Sequence, residues 1–244
     1  MSKNIAIDLG NSSAKLYVYD GLEQVAMRRC DTAECSVIDA LITEYDVQNA
    51  IISSVRGDDA EIIAHVNACM PGKVVLLSCE TPLPISIGYA TPSTLGGDRI
   101  AVAVGAFSQL PGKNLLVIDL GTAVTMDVVD AQGCYLGGNI SPGLTTRFRA
   151  LHDYTGKLPL VSADGDSPLV GSDTVTAMRS GVVRGMAYEI NGYIDEINDK
   201  MQGIDVFITG GDAKYLAKWI KSRIFEDQNL LARGLNTILL YNIE

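Results

Sequence analysis

One segment of the chain occurs twice with the same plan. The first copy, NIAIDLGNSSAKLYVYD, spans residues 4–20, and the second, NLLVIDLGTAVTMDVVD, spans residues 114–130. In each copy an apolar run leads into Ile-Asp-Leu-Gly, hydroxyl-bearing residues follow, and a second β-rich run ends in Asp. Short apolar runs that end at a turn are typical of buried strands. Each copy therefore predicts a strand, a turn and a second strand, and the repeat predicts two related halves.

The rest of the chain alternates runs that fit strands with runs that fit helices, which argues for α/β layers. A Pro-Gly pair in LPGKN marks a boundary between the halves. We therefore predict a duplicated α/β fold with residues 1–112 as the N-terminal half, residues 113–244 as the C-terminal half, and a cleft between them.

The remaining elements follow from the same patterns. The stretch TPLPISIGYATPSTLGGDR, residues 81–99, is too rich in Pro, Gly and Ser for regular structure. The helix that starts near Asp173 carries an apolar stripe that we interpret as mostly core, with part available as a dimer face. Further strands are predicted at EQVAMRRC, NAIISSV, KVVLLS, CYLGGNIS and DVFITG, and helices at AECSVIDALITEYD, DDAEIIAHVNACM, DRIAVAVGAFSQL, about 173–201, DAKYLAKWI and NLLARGLNTILLYN.

Composition excludes several classes of function. The net charge of −10 disfavours binding to phosphate backbones and to anionic lipid, so we expect no nucleic acid and no membrane partner. No apolar run approaches the roughly 20 residues needed to span a bilayer, and the first residues do not have the layout of a signal peptide. The five cysteines include no C-x-x-C pair, so neither a disulfide framework nor a zinc site is expected. We predict a cytoplasmic protein with reduced thiols, and we interpret His65 as a surface or packing residue.

The repeated turn has a chemistry of its own. A buried strand that ends in Asp and turns through Gly places a carboxylate beside exposed backbone N–H groups, and Gly10 and Gly121 leave room for a phosphate. A single turn of this kind is most often an ordinary turn. Two copies at matching places predict a polyphosphate site, in which one turn handles a metal and the terminal phosphates. Neither G-x-x-x-x-G-K-[ST] nor a strand followed by G-x-G-x-x-G occurs, so the P-loop and Rossmann motifs are excluded.

Four stretches make the chain resemble a known family. DLGNSSAK, GYATPSTLGGDR, DLGTAVTMDVV and GGNISPGL are similar, in this order, to the signatures of type III pantothenate kinases. These kinases belong to the superfamily of acetate and sugar kinases and actin-like ATPases, and FITGGDAKYL fits that superfamily too. Two positions depart from the family pattern: Ser12 stands where the family usually has Thr, and Asp173 stands where it usually has Asn. The matches run from residue 8 to about residue 213.

The resemblance implies two ribonuclease-H-like halves and an ATP-dependent phosphorylation of pantothenate that needs Mg²⁺. Asp8 would hold Mg²⁺ beside the phosphates, Asp119 would bind K⁺ or NH₄⁺, and Thr122 would contact ATP. Lys15 either neutralises phosphate or is a surface lysine. The first loop as a whole would contact ATP through Asp8, Leu9, Gly10, Asn11, Ser12, Ser13, Ala14 and Lys15.

The pantothenate pocket follows from the same resemblance. Arg99 would bind the substrate carboxylate as a planar fork, and Asp98 would take or orient the hydroxyl proton. The alternative for Asp98 is an N-cap, a common position for Asp at the start of a helix. The pocket would be shaped by Tyr89, Gly96 and Gly97, with Thr174 reached from a neighbouring subunit or the cleft wall.

Three interpretations remain open at this point. The chain is a pantothenate kinase, a kinase of another small hydroxy acid, or a regulator that has kept the fold and lost turnover. The resemblance also implies a homodimer. Gly210 and Gly211 either let backbone approach the adenosine or form a simple strand-to-helix turn.

Overall fold

A computed structural model describes residues 2–10, 13–54 and 59–243 of the chain. The residues group into two compact units: 1–111 with 133–135 and 229–244, and 112–132 with 136–228. In chain order the strands are β1 (Lys3–Leu9), β2 (Ala14–Asp20), β3 (Glu23–Cys30), β4 (Val47–Ser54), β5 (Val74–Leu76), β6 (Ser86–Ile87), β7 (Asn114–Leu120), β8 (Ala123–Val129), β9 (Cys134–Pro142), β10 (Ile204–Thr209) and β11 (Ile224–Glu226). The α-helices are α1 (Cys35–Tyr45), α2 (Ala60–Cys69), α3 (Gly97–Gln109), α4 (Leu144–Asp153), α5 (Thr174–Arg179), α6 (Gly185–Met201), α7 (Ala213–Leu216) and α8 (Leu230–Ile243).

The two units repeat one strand order. The first sheet runs β3-β2-β1-β4-β5, and the second unit contains the matching run β9-β8-β7-β10-β11. In each run the first two strands, β1 and β2 or β7 and β8, form an antiparallel hairpin, and the fourth strand, β4 or β10, lies parallel to the first one. The predicted duplication is therefore confirmed at the level of topology.

The central strands of the first sheet are apolar on both faces, so helices cover them. The β1 pattern is buried along almost its whole length, as expected for a central strand with helices on both sides. Ile38 of α1 and Val66 of α2 are fully buried in the core that these helices share with β1 and β2. The turn at Asp20 and Gly21 joins β2 to β3, and the φ of 59° at Gly21 explains why glycine stands there.

Helix α8 belongs to the first unit, although it is the last element of the chain. Its Gly234 packs directly against the Ala101 carbonyl of α3, and Gly105 of α3 packs against the Leu230 carbonyl, so neither position has room for a side chain. Asn4 of β1 also donates a hydrogen bond to the side chain of Asn236. The predicted N-terminal and C-terminal halves do not anticipate this arrangement, because α8 follows the second repeat in sequence.

The second unit is built around a long helical region. A π-helical turn, Ser180–Arg184, joins α5 to α6, so residues 174–201 are helical throughout, as predicted. The stripe on this region is core: Met178, Val182, Val183, Met186, Ile190 and Ile194 are buried against β7 and β10, and Val175 is partly buried.

Several smaller elements differ from the prediction. The sequence predicted no helix at α4 and no strand at β11, and it predicted a longer helix at α7, where a 3₁₀ turn, Ala217–Trp219, follows after four residues. The stretch 81–99 is not wholly irregular: β6 pairs in parallel with the first two residues of β9. Within the described residues, no helix is long and apolar enough to cross a membrane.

Candidate active site

The first repeated turn places Asp8 at the end of β1. The Gly10 N–H donates a hydrogen bond to the Ser13 carbonyl across the turn, 3.1 Å away. Asp8 lies opposite Lys15 in the antiparallel pair and beside Ser53 of β4. Directly paired residues share one face of a sheet, so the Lys15 side chain is on the Asp8 side. Of the predicted ATP contacts, Leu9 and Ala14 are fully buried, Ser13 is nearly so, and Asn11 and Ser12 lie outside the described residues.

Asp8 is almost buried, with 7% of its surface exposed. Burial raises the pKa of the Tyr17 phenol, and the negative charge of the Asp8 carboxylate raises that pKa further. Tyr17 therefore stays neutral at ordinary pH. A carboxylate at a strand end with little water around it is a favourable ligand for a cation. The attraction between the two charges is strong there, because little water is present to screen it.

The start of α3 lies against the end of β4. A Cβ atom on Gly97 would meet the Ser53 hydroxyl and the Leu77 side chain, both at 3.2 Å, so only glycine allows this approach without displacing its neighbours. Since Ser53 is the β4 neighbour of Asp8, the structure brings the helix start that carries Asp98 to the strand end that carries Asp8.

Asp98 is not the N-cap of α3, and that alternative is wrong. The helix begins at Gly97 with Gly96 as its N-cap, and Asp98 lies within the first turn. Its Oδ1 accepts a hydrogen bond of 2.8 Å from the Arg99 backbone N–H, and the carboxylate lies so close to Gly96 that a Cβ there would overlap it. The residue is half-buried, so part of the carboxylate remains available to a ligand.

Arg99 lies among aromatic rings. Its guanidinium carbon is 5.9 Å from the centre of the Tyr89 ring and 6.0 Å from that of Tyr135. The two rings meet edge to face, 6.0 Å apart. Cation–π contacts of this kind hold the guanidinium group in one orientation. Arg99 is only 6% exposed.

Sequence reasoning found Tyr89 and missed Tyr135. The strand β6 explains why the two rings meet, because the Gly88 N–H donates to the Tyr135 carbonyl, 2.9 Å away. Tyr135 is fully buried at the start of β9. Its position two residues after the predicted turn AQG was visible in the sequence, but nothing there indicated its partner.

The second repeated turn is held by the elements around it. The Gly143 N–H and the Thr146 hydroxyl both donate to the Thr122 carbonyl, at 3.0 and 2.7 Å. Gly143 is the N-cap of α4, and a Cβ on it would overlap the Gly121 carbonyl. These contacts fix the backbone of the turn and leave the Thr122 side chain exposed, which suits a ligand contact.

Asp119 is the second-to-last residue of β7 and lies next to Gly210. A Cβ on Gly210 would stand 2.5 Å from an Asp119 carboxylate oxygen and 2.5 Å from the Leu120 carbonyl, and its φ is +93°. Only glycine fits both the space and the conformation. Gly210 thus forms the strand-to-helix turn, and the Asp212 N–H that follows donates to the Leu120 carbonyl.

A cleft of about 630 Å³ opens beside this turn in the second unit. Burial raises the pKa of Asp212, while the Leu144 backbone N–H and the nearby Lys214 act in the opposite direction. The Asp212 carboxylate therefore accepts a hydrogen bond from a backbone N–H group at the start of α4. The cleft is lined by Leu144, Thr145, Phe148, Arg149, Leu160, Val161, Ser162, Ala163, Asp164, Gly211, Asp212, Lys214 and Tyr215.

Thr174 borders a different feature, an apolar groove of about 890 Å³ between α4 and the α5 region. Asp173 caps α5: its Oδ1 accepts from the Thr176 N–H at 2.9 Å, and this bond is the main cause of a lowered pKa of Asp173. Asn and Asp cap helices about equally well, so the cap accounts physically for Asp at the position where Asn is usual.

Comparison with known proteins agrees with this architecture. A hexokinase of the ROK group from Thermus thermophilus, 13% identical, superposes with a TM-score of 0.60 over 99% of this chain and all of the other. A Campylobacter jejuni protein assigned to the Baf family of transcriptional activators, 22% identical, gives a TM-score of 0.65 over 98% of both chains. The chain therefore shares the fold of these proteins, and the predicted α/β fold of two ribonuclease-H-like halves is confirmed.

The family follows from sequence. The family model for type III pantothenate kinase matches residues 4–196. A type III pantothenate kinase of Bacteroides fragilis is 45% identical over 239 residues, which cover 98% of each chain. The chain belongs to the type III pantothenate kinase family.

Proposed function

We propose that the protein transfers the terminal phosphoryl group of ATP to the primary hydroxyl of pantothenate, giving 4′-phosphopantothenate, the first intermediate toward coenzyme A. The observation that carries this proposal is the arrangement in the first unit, where Asp98 and Arg99 lie in the first turn of a helix whose start meets Ser53, the β4 neighbour of Asp8. Family membership supports the same reaction, because the matched relatives are named for it.

The phosphate side rests on Asp8 and its turn. Mg²⁺ is usually held by one or two carboxylates together with substrate phosphates, and the nearly buried Asp8 carboxylate beside the Gly10 turn fits that requirement. Bound there with ATP, Mg²⁺ would neutralise charge on the phosphates. Lys15, on the same face of the hairpin, would add a positive charge near the phosphates.

The acceptor side rests on Asp98 and Arg99. Pantothenate carries a carboxylate at one end and a primary hydroxyl at the other. The Arg99 fork, held by the Tyr89 and Tyr135 rings, binds the carboxylate, and Asp98 receives or orients the hydroxyl proton. As the hydroxyl oxygen forms its bond to phosphorus, the bond to the ADP oxygen breaks. Because such transition states are loose, orientation contributes more than proton removal.

In our proposal the second unit supplies contacts to the rest of the nucleotide. In our proposal the Thr122 side chain contacts ATP, and Asp119 binds K⁺ or NH₄⁺. The cleft beside Gly211 is large enough for an adenosine, since ligand pockets generally measure about 300–1,000 Å³. The backbone at Gly211 has open space where a side chain would stand, which supports close approach of a ligand.

We also propose that the enzyme acts as a homodimer, with Thr174 contributing to the partner's pantothenate pocket or to the wall of its own. The apolar groove that borders Thr174 supports an assembly on this face. Light scattering should give about twice the 26.0 kDa mass of the chain, and a fully active monomer would contradict a shared site. A cytoplasmic location stays a prediction.

The central experiment measures ADP release by the purified protein with Mg-ATP and K⁺, with and without pantothenate and with other hydroxy acids. Release that depends on pantothenate supports the proposal. Release that depends on a different acid would identify another substrate, and no release with any acid would favour a regulator.

The matched variants are Asp98→Asn and Arg99→Lys. The carboxamide of Asp98→Asn can still accept from the Arg99 N–H, so the fold should be kept, while turnover should fall by about 10²–10⁴-fold. Arg99→Lys keeps the charge and loses the planar fork, so KM for pantothenate should rise more than kcat falls. A folded Asp98→Asn variant with normal kcat would exclude Asp98 from the reaction.

A further inference from the structure

Three different metal-ligating groups meet on α1 and α2, two of the helices of the first unit. His65 and Cys69 of α2 and Asp39 of α1 each offer a ligand atom, and these atoms lie within 4.8 Å of one another. The His65 Nε2 atom is 2.7 Å from Asp39 Oδ1. His65 and Cys69 are one helical turn apart, so both project from the same face of α2.

We propose that Asp39, His65 and Cys69 form a Zn²⁺ site that joins α1 to α2. Imidazole, thiolate and carboxylate are the three ligand types that Zn²⁺ takes from proteins. Thiolate disfavours Mg²⁺ and Ca²⁺, while the combination with imidazole and carboxylate fits Zn²⁺. Two Zn ligands at positions i and i+4 of one helix are a common arrangement.

The geometry is close to what the ion requires. Bonds of about 2.0–2.3 Å in a tetrahedron place ligand atoms about 3.3–3.8 Å apart. The three atoms therefore need to shift by no more than about 1 Å. Asp39 is exposed, so its side chain can make that adjustment, and the fourth position is open to water.

An ordinary surface ion pair would explain only part of this cluster. It accounts for Asp39 and His65 but not for the thiol beside them. The Cys69 Sγ atom lies within 4.8 Å of the ligand atoms of Asp39 and His65. Cys35 lies one helical turn before Asp39 on α1. All four side chains thus share one neighbourhood, of which three have atoms placed for a single ion.

The cluster also has a structural consequence. Ile38, next to Asp39, and Val66, next to His65, are both fully buried in the core of the first unit. An ion bound at the surface would hold these two helices together above that core. Metal that binds only the folded state stabilises it. The site is independent of the proposed kinase reaction, and its readouts are metal binding and thermal unfolding.

The test uses the full chain, reduced and stripped of metal. Zn²⁺ is titrated in competition with a chromogenic chelator, and Co²⁺ serves as a spectroscopic probe. We expect about one Zn²⁺ per chain, a thiolate-to-cobalt charge-transfer band, and visible bands typical of tetrahedral Co²⁺. Absence of stoichiometric binding, or a Co²⁺ spectrum without the thiolate band, would overturn the site.

Variants assign the ligands. Asp39→Asn, His65→Gln and Cys69→Ser should each weaken Zn²⁺ binding by more than about tenfold, since even indirect partners of a metal contribute that much. The matched controls are His152→Gln and Cys79→Ser, at the other histidine and at an exposed cysteine, and both should bind as the natural chain does. Equal binding by all five variants, or loss of binding in the controls, would contradict the proposal.

Thermal unfolding gives a second readout. Zn²⁺ should raise the melting temperature of the natural chain and of the His152→Gln control, and it should leave that of a folded Cys69→Ser variant unchanged. Cys35→Ser should still bind, because its sulfur is not one of the three clustered atoms. An equal rise in Cys69→Ser, or loss of binding in Cys35→Ser to the same degree as in Cys69→Ser, would refute the three-ligand set.

Discussion

The two strand–turn–strand copies share one strand order and differ in the residues beside the repeated carboxylate. In both, the hairpin and the next parallel strand follow the same order, and the strand that begins the repeat ends in Asp-Leu-Gly. Asp8 lies opposite Lys15, whereas Asp119 lies opposite Thr125. The first copy therefore pairs its carboxylate with a cation on the same face, and the second pairs it with a hydroxyl.

The turns differ as well. In the first copy Leu9 pairs with Ala14, and in the second Leu120 pairs with Val124, so the second turn is shorter. Asp8 is nearly buried, and Asp119 is half-buried. Duplication thus supplies two similar carboxylate positions whose immediate surroundings differ in charge and burial.

The largest effect expected from this comparison is the loss of turnover when the Asp8 charge is removed. Asp8→Asn keeps the shape and removes the charge, and we expect kcat to fall by about 10²–10³-fold, as when one preorganised electrostatic group is lost. The control is Asp20→Asn at the exposed end of the same hairpin, which should be neutral. Steady-state kinetics over a range of Mg²⁺ concentrations measures both. Normal turnover by Asp8→Asn would exclude Asp8 from the metal role.

A second difference concerns the backbone around the second turn. Gly210→Ala combines a left-handed conformation with two contacts of 2.5 Å, and we expect it to cost about 2–5 kcal/mol of unfolding free energy. At Gly121 a Cβ would meet ordinary contacts of 3.5 and 3.7 Å, so Gly121→Ala should cost less than about 1 kcal/mol. Denaturant unfolding compares the two. Equal costs would show that Gly210 does not constrain the second turn.

These contrasts also show what sequence could supply. The repeat predicted the duplicated topology because a buried strand and its turn residues leave a local pattern. It also predicted Asp8 and Asp119 at equivalent places. Helix α4 was not predicted, because it begins with Leu144, Thr145 and Thr146, and β-branched residues such as Thr have low helix propensity.

The features that the sequence did not predict depend on contacts between residues that are far apart in the chain. The Tyr135 ring packs near Arg99 because β6 pairs with β9. Helix α8 joins the first unit through the close packing of Gly105 and Gly234 and through the bond between Asn4 and Asn236. The proposed Zn²⁺ site at His65 runs against the expectation of no zinc site, because its ligands come from two helices and include no C-x-x-C pair. The specific substrate came from the family resemblance rather than from residue chemistry, since carboxylate and hydroxyl groups occur in many small acids.

The monovalent cation gives a moderate expected effect. If Asp119 binds K⁺ or NH₄⁺, the rate in either salt should exceed that in Na⁺ at equal ionic strength. Asp119→Asn should then lower the K⁺ rate by roughly tenfold, equivalent to about 1.4 kcal/mol, and bring the salts closer together. Asp130→Asn, at the matching end of the second hairpin, is the control. Equal rates of the natural protein in all three salts would exclude this role.

The smallest expected effect concerns the asparagine that begins each copy. Asn4 is 1% exposed and bonds to Asn236 and Asn49 through its side chain. Asn114 is half-buried, donates to the Met201 carbonyl and accepts from the Ala131 N–H.

Truncating each asparagine to Ala removes the same groups from different surroundings. Asn4→Ala leaves buried amide groups without their partner, which costs about 1–3 kcal/mol, whereas water can replace part of what Asn114 provides, so Asn114→Ala should cost about 0.5–1.5 kcal/mol. Denaturant unfolding of both variants measures the difference. If Asn114→Ala proves the more costly, the first copy is not the more tightly bonded of the two, and the contrast in burial between Asn4 and Asn114 does not decide their stability.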